Sequence, residues 1–342
     1  MFKFNFMGVL GLELSSVGIT GTAFYVPETV LTNKDIVALG IDTSDEWIRT
    51  RIGVEERRIA KKNEATSDLA AEAAKKLMKK TGLTPEEIEL IIVTTTTPDT
   101  ITPSTACYVQ EKIGAKNAGA LDVNNACSGF NYGLSIAAKF VADGTYKKVL
   151  LIGAEAPSKF RDKNDRTTFV IFGDGAGAVL LEKVKKNFGL LASYLRADGS
   201  GAEKLYMPGG GTRHPISNAK DLEKYPIKAR MDGKAIWDFA MKAIPDAAEK
   251  CLENADLTIK DVDFVVFHQA NKRIIEEGMK ILGLPMEKTI TVIEKYANTI
   301  SASIPIALDK ALSDGKIKKG DIVLLIGFGA GLSWGANVLR WQ

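Results

Sequence analysis

The stretch LTPEEIELIIVTTTT, beginning at Leu83, returns 174 residues further on as LTIKDVDFVVFHQAN, beginning at Leu257. A second pair keeps that spacing: VLLIG ends at Gly153 and again at Gly327. Two matches at one offset point to an internal duplication, which restricts the chain to folds made of two similar halves. At 342 residues the chain also exceeds the size at which one hydrophobic core usually stops growing.

The continuous apolar runs at 91–93, 149–152, 265–267 and 323–326 suit strands covered on both faces. Helical patterns lie between them at Ser67 to Thr81, Gly129 to Ala142, Ile236 to Asn254 and Ile304 to Ser313. Alternating strands and helices imply a layered α/β architecture with largely parallel sheets. The duplication predicts an N-terminal half over residues 1–184 and a C-terminal half over 231–342, packed face to face. Between them, 185–230 is rich in Gly, Lys and turn signals such as MPGGGTRHP, and is expected to be a loop-rich connection.

Composition narrows the function classes. With 45 Lys and Arg against 42 Asp and Glu, the net charge of +3 is too balanced for a dedicated nucleic-acid binder. Cys107, Cys127 and Cys251 are odd in number, widely spaced and without a C-x-x-C pair, which argues against a disulfide framework or a zinc site and for a reducing cytoplasm. No run of about 18 uncharged apolar residues is present, so no transmembrane helix is expected. The N-terminal MFKFNFMGVLGLELSS lacks a small-residue cleavage site; it reads as an extra strand or as an extension ahead of a start at Met7.

Ligands of open α/β sheets gather beyond the carboxyl ends of strands. Those ends read NNACSGF, HQANKR, YANTISAS and GFGAGLSWG. Cys127 follows an apolar strand and precedes a helix, where exposed N–H groups and the positive dipole end favour the nucleophilic thiolate. A lone cysteine can equally act as a small buried hydrophobe. Its partners weigh against that reading. His268, one of two histidines, emerges from VDFVVF on the half that repeats the cysteine's half. Asn298 is the repeat mate of Asn124 and stands three residues before Ser301, just as Asn124 stands three before Cys127. The offset therefore aligns Ser301 with the nucleophile. Cys127, His268 and Asn298 supply one nucleophile and two hydrogen-bonding groups for one cleft.

The glycine-rich segments carry no nucleotide signature. GFGAGLSWG has Leu332 where a dinucleotide loop needs its third glycine, and only ten residues follow. FGDGAGAVLLE leads into a strand rather than a helix. Close backbone approach to a ligand, or tight packing, is the use that remains.

In order, GTAFYVPETVLTN, DTSDEWIRTRIGVEERRIA, DVNNACSGFNYGLS, DRTTFVIFGDGAGAVLLE, HQANKRI, NTISASIP and GFGAGLSWGANVLR resemble the beta-ketoacyl-acyl-carrier-protein synthase III family of the thiolase superfamily, from about Val17 to the C-terminus. The resemblance implies a five-layered αβαβα fold, a homodimer and a Cys127, His268, Asn298 triad. It implies that acyl-CoA acylates Cys127, and that malonyl-acyl-carrier-protein then loses carbon dioxide and attacks the thioester. Oxyanion donors would be the backbone N–H groups of Cys127 and Ala330. Trp47, Arg51, Arg166 and Asn271 would bind CoA, with Trp47 and Arg166 sandwiching the adenine. Gln269, Ala270, Asn271, Lys272 and Arg273 would meet the acidic carrier protein. Thr102, Phe172 and Phe328 would shape the acyl pocket. Neither metal nor cofactor is implied.

Two positions depart from the family pattern. Ala330 stands where the family commonly has the middle of three glycines, and a positive φ there would strain it. Thr102 stands where a phenylalanine often floors the partner's acyl pocket, so primers longer or more branched than acetyl are expected. Rival readings remain within the superfamily. Thiolases need a second cysteine, absent from GFGAGLSWG, and elongating synthases need a second histidine, whereas His214 lies in the excursion. A 3-hydroxy-3-methylglutaryl-CoA synthase, a polyketide-type synthase and a non-catalytic acyl-binding subunit stay open.

Overall fold

The computed structural model describes residues 16–342; the expectation for the N-terminal run up to residue 15 lies outside them. The first half forms a five-stranded sheet from β1 (Val17–Tyr25), β2 (Leu90–Thr94), β3 (Gly119–Val123), β4 (Val149–Glu155) and β5 (Gly175–Lys183), in spatial order β1-β5-β4-β2-β3. The second half builds β6 (Gly189–Ala197), β7 (Phe264–Phe267), β8 (Ile322–Gly329) and β9 (Ser333–Arg340) into the order β6-β9-β8-β7. These orders superimpose under the repeat. A parallel bridge from Val265 to Thr289 takes the place of a fifth strand.

The helices used below are α1 (Asp45–Arg51), α2 (Thr66–Thr81), α3 (Thr105–Ile113), α4 (Gly129–Ala142), α5 (Arg166–Phe169), α6 (Gly233–Glu253), α7 (Lys272–Ile281) and α8 (Ser303–Ser313). α2 and α3 cover the outer face of the first sheet, and α6 and α7 that of the second. α4 and α8 lie between the sheets in one apolar cluster with strand residues of both. That arrangement gives five layers, αβαβα. The central pair can be buried because small residues recur at helical spacing: Gly129, Gly133, Ala137, Ala138 and Val141 on α4, and Ala307 and Ala311 on α8, all face the interior.

Two expectations are corrected. The sheets are mixed rather than largely parallel: β2 pairs parallel with β3 and β4, and β7 with β8, but β5 and β9 run antiparallel to both of their neighbours. The physical reason is that β8 returns as β9 through a tight turn, Gly329 opposite Ser333, with no helix to carry a crossover. The interval 185–230 is not loop throughout either. Its first part is β6, an edge strand of the second sheet held by nearly continuous pairing to β9. Among the described residues no helix is long and apolar enough to cross a membrane.

Candidate active site

The carboxyl ends of β2, β4, β7 and β8 converge, and their connections supply the reactive groups. After β3 the chain makes one 3-10 turn, Ala126–Ser128, before α4 starts at Gly129. Ala126 takes φ 44°, which drives the following side chain inward. Cys127 is buried, against Phe172 and Ile300. Its sulfur faces two backbone N–H groups, its own and that of Ala330. β8 comes so close that a Cβ on Gly329 would sit 2.7 Å from the Cys127 Cβ and 2.9 Å from Sγ. Only glycine leaves room there.

Burial first, and the Glu155 charge second, push the Cys127 thiol up to about 12, while the N–H groups of Cys127 and Ala330 draw it down. The expected thiolate is therefore corrected to a resting thiol: in this closed site desolvation outweighs the helix end.

His268 continues β7, its N–H bonded to Ile326 O at 2.8 Å, and its ring is buried. Nδ1 lies 2.7 Å from Ser303 Oγ at the start of α8, and Phe328 meets the ring edge-on at 5.6 Å. Burial holds the imidazole down at about 3, against a smaller opposing effect of the Ile300 backbone, so it is neutral at physiological pH. Asn298 sits in the turn before α8. Its Oδ1 accepts the Ile300 N–H at 2.8 Å, which leaves the amide nitrogen outward of that bond. Its backbone is clamped to the segment 171–173: Asn298 N–H donates to Ile171 O at 3.0 Å and Gly173 N–H to Asn298 O at 3.1 Å. Ile300 thus touches all three candidates, as packing partner of Cys127, bonded neighbour of Asn298 and backbone neighbour of His268.

The repeat offers an independent measure of this convergence. Under the 174-residue offset Cys127 corresponds to Ser301 and His268 to Thr94. Ser301 Oγ donates to Thr94 O at 2.7 Å. The mates of the nucleophile and the histidine are in direct contact across the pseudo-twofold axis.

The CoA and carrier-protein candidates share one lip. Arg166 stacks on Trp47, guanidinium 4.8 Å from the ring centroid, and donates to Asp42 O at 3.0 Å. Asn271 caps α7 and its Nδ2 donates to Arg51 O at 2.9 Å, while Lys272 N–H donates to Ile52 O at 2.9 Å. Arg51 and Arg273 are exposed, and Arg273 lies over Trp237 at 5.7 Å. Lys272 is paired with Glu294 at 3.0 Å. Ala270 is half-buried. Gln269 is removed from the carrier face: it is fully buried, donating to Phe267 O at 2.9 Å and accepting from Val292 N–H at 2.9 Å. Phe172 and Phe328 line the interior, but Thr102 lies on an exposed loop beside Ile101, which is 91% exposed. The strain expected at Ala330 falls instead on Gly331, whose φ is 138°.

Family models for 3-oxoacyl-[acyl-carrier-protein] synthase III match residues 121–199, and for its C-terminal region residues 252–341. The beta-ketoacyl-[acyl-carrier-protein] synthase III of Caldanaerobacter subterraneus is 50% identical over 96% of this chain and 99% of its own. The chain belongs to the beta-ketoacyl-acyl-carrier-protein synthase III family. The solved synthase III of Thermus thermophilus superimposes with a TM-score of 0.88 at 42% identity, covering 95% of this chain and 99% of that one. A priming beta-ketosynthase from a polyketide biosynthetic pathway superimposes with a TM-score of 0.89 at 33% identity, covering 98% and 99%. As a member of this family the chain is a condensing acyltransferase.

Four residues of this synthase escaped the sequence reading. Ser303 fixes the histidine ring. Ala229, at the end of the excursion, packs onto the Cys127 cluster. Arg57, inside the charged run EERR, is fully buried and donates to Leu31 O, Asn33 Oδ1 and Val170 O, while Asn33 Nδ2 donates to Asp45 at the head of α1. It ties the Trp47 helix to the segment that ends α5. Glu155 closes β4 beneath the nucleophile. Its signal was available, since the repeat places it opposite Gly329. Among the described residues no group of three or more His, Cys, Asp or Glu could hold a metal ion.

Proposed function

We propose that this synthase starts fatty acid synthesis by a decarboxylating condensation: Cys127 takes the acyl group of a CoA primer, and malonyl-acyl-carrier-protein then supplies a two-carbon unit. The observation that carries this reading is the convergence of Cys127, His268 and Asn298 around Ile300. The thiol proton leaves as sulfur attacks the CoA thioester and passes to the departing CoA thiolate, so acyl transfer needs no base from His268, which stays neutral. The thioester oxyanion then meets the N–H groups of Cys127 and Ala330, which already face the sulfur.

In the second step the malonyl carbon–carbon bond to carboxylate breaks, carbon dioxide departs, and the electron pair forms an enolate. His268 and Asn298 stabilise it by donating to the thioester oxygen. Ser303 suits this role. Its oxygen also accepts the Gln269 N–H at 3.3 Å, and a Ser303 proton given to Nδ1 of His268 would put the ring proton on Nε2, the tautomer this role needs. The enolate carbon attacks acyl-Cys127, and collapse releases a 3-ketoacyl product with the thiolate. Every step uses thioesters and protein groups, with no metal or cofactor in it.

Acyl-CoA is read as entering past Trp47 and Arg166, and the acidic carrier protein as docking at Arg273, Lys272 and Asn271. A homodimer belongs to the same reading: β3 is an edge strand, and the exposed Ile101 is an apolar side chain that a partner would cover. Three free cysteines, Cys107 exposed among them, fit the cytoplasm. The small Thr102 favours primers beyond acetyl, so in a panel of acyl-CoA chain lengths a longer or branched primer turns over faster.

The triad is tested by separating the half-reactions. His268→Ala and Asn298→Ala lower malonyl-carrier-protein decarboxylation on the order of a hundredfold or more each, while mass spectrometry still finds acyl groups on Cys127. Unimpaired decarboxylation in both overturns the assignment. The polyketide neighbour motivates one rival, a priming ketosynthase, which is favoured if malonyl on a polyketide carrier is consumed in preference to malonyl on the fatty acid carrier.

A further inference from the structure

Glu155 is a buried carboxylate with no cation beside it among the described residues. It sits at the end of β4 inside a cage of neutral donors: Thr96 N–H at 3.0 Å, Thr96 Oγ1 at 3.0 Å, Thr97 Oγ1 at 2.8 Å and Ser301 Oγ at 2.8 Å. Burying a carboxyl group is costly, and no salt bridge offsets it here. Such a group persists when it holds something that an apolar side chain could not. What it holds is the turn that delivers Asn298 and Ser303.

The pseudo-symmetry makes the argument specific. Glu155 and Gly329 are repeat mates, as are Gly153 and Gly327, and Ser301 and Cys127. In the second half the strand end presses bare backbone onto Cys127. In the first half the equivalent strand end presses Gly153 onto Ser301, where a Cβ would lie 2.5 Å from Ser301 O, and two residues on Glu155 takes Ser301 Oγ. Ser301 Oγ thus lies within hydrogen-bond distance of both Thr94 O and Glu155, which share its one hydroxyl proton. Ser301 is the middle of the 3-10 turn Ile300–Ala302. One residue before it lies Ile300, whose N–H orients Asn298; two residues after it lies Ser303, whose hydroxyl orients His268.

We propose that Glu155 is a positioning residue for the malonyl half-reaction, acting through Ser301 to hold Asn298 and His268 at the enolate while leaving primer transfer to Cys127 largely independent of it. This rests on the assignment of Asn298 and His268 to decarboxylation made above. Displacing catalytic groups by about 1 Å can cost on the order of a hundredfold in rate. The turn carries both donors, so loosening it harms the step that needs both. The nucleophile is held by its own strand and by Gly329; it meets the gripped turn only through the Ile300 side chain, and the Glu155 charge only raises its thiol, so loss of Glu155 does not disfavour acylation.

The experiment measures two rates in Glu155→Ala, Ser301→Ala and Glu155→Gln: acylation of Cys127 by acyl-CoA, followed by mass spectrometry, and decarboxylation of malonyl-carrier-protein. Glu155→Ala and Ser301→Ala are expected to slow decarboxylation by about tenfold to a hundredfold while acylation changes by less than about threefold. Glu155→Gln keeps the size and hydrogen-bonding reach of the side chain and should restore most of the decarboxylation rate. The double variant Glu155→Ala with Ser301→Ala should lose little more than either single, because both act through one contact. Equal losses in both half-reactions, or no rescue by glutamine, overturn the proposal. If Glu155→Ala does not fold, Ser301→Ala asks the same question from the other side of the bond. His268→Ala run in parallel separates the two failures: normal decarboxylation there sinks the site assignment, whereas its loss there with none in Ser301→Ala sinks only the role of Glu155.

Discussion

His268 Nδ1 and Ser303 Oγ lie 2.7 Å apart, both buried, and join the end of β7 to the first turn of α8. In the proposed mechanism the hydroxyl donates to Nδ1 and so keeps the ring proton on Nε2. Ser303→Ala removes it and lets the imidazole turn or switch tautomer. Condensation is then expected to fall by about tenfold or more, with Ser303→Thr retaining most of the rate. A pH–rate profile checks the mechanism. Because burial holds His268 near 3, the wild-type acid limb above pH 5 is not a histidine titration, and Ser303→Ala should leave the shape of the profile unchanged while lowering its height.

Gly329→Ala tests the closeness of β8 to the nucleophile. The added methyl would lie 2.9 Å from Sγ, closer than van der Waals contact allows, so either the thiol or the strand must move. Overpacking of this kind costs about 1 to 3 kcal/mol of stability. Acylation of Cys127 should be nearly abolished, as measured by adduct formation with an acyl-CoA, with the thermal midpoint lowered by several degrees.

The pH dependence of stability isolates Glu155. Burial first raises its carboxyl from 4.5 to about 7, against its hydrogen bonds. A raised carboxyl binds its proton more tightly when folded, so its contribution is fully present below pH 4.5 and is lost as pH rises through 7. His268 has the opposite sign: its depressed value makes the folded state lose stability as pH falls from 6.5 toward 3. Glu155→Gln lacks the first effect and keeps the second. The stability of the variant relative to wild type should therefore rise by roughly 3 kcal/mol between pH 4.5 and 8. Urea titrations at a series of pH values measure this, and parallel curves for the two proteins would contradict it.

At the entrance, Arg166→Ala removes the guanidinium stacked at 4.8 Å on Trp47. The KM for acyl-CoA should rise by about tenfold with little change in kcat if, as proposed, the lip binds the nucleotide far from the reacting carbon. A loss confined to kcat would show that the stack shapes the site and does not bind substrate.

The layered α/β fold, its strand ends and the nearness of Cys127, His268 and Asn298 to Ile300 could be read from the chain because a duplicated chain repeats its landmarks. Strand direction could not. The apolar runs at 149–155 and 322–329 are the same whether the next strand runs parallel or back; the connections decide, a short turn at 330–332 after the second run and residues 156–174, with no crossover helix longer than one turn, after the first. Gln269 stands in the polar string HQANKR and reads as exposed, yet it is buried by pairing with backbone groups that the sequence does not bring near it. Arg57 misled for a similar reason. Its neighbours in EERR are charged and solvated, while its own side chain finds three carbonyl-type acceptors inside. The thiolate expected at Cys127 follows from the helix end alone; the closing of Gly329, Phe172 and Ile300 over the sulfur is a tertiary event.

The backbone clamp between the 171–173 segment and Asn298 has an evolutionary corollary. On the proposed assignment, a lineage adapting to bulkier primers can trim the Phe172 side chain, but it cannot slide the main chain at this position to gain space, because the Asn298 carboxamide would travel with it. Diversity in primer choice is thereby channelled into side-chain size and into loops such as that of Thr102, away from the shared hinge of the two substrates.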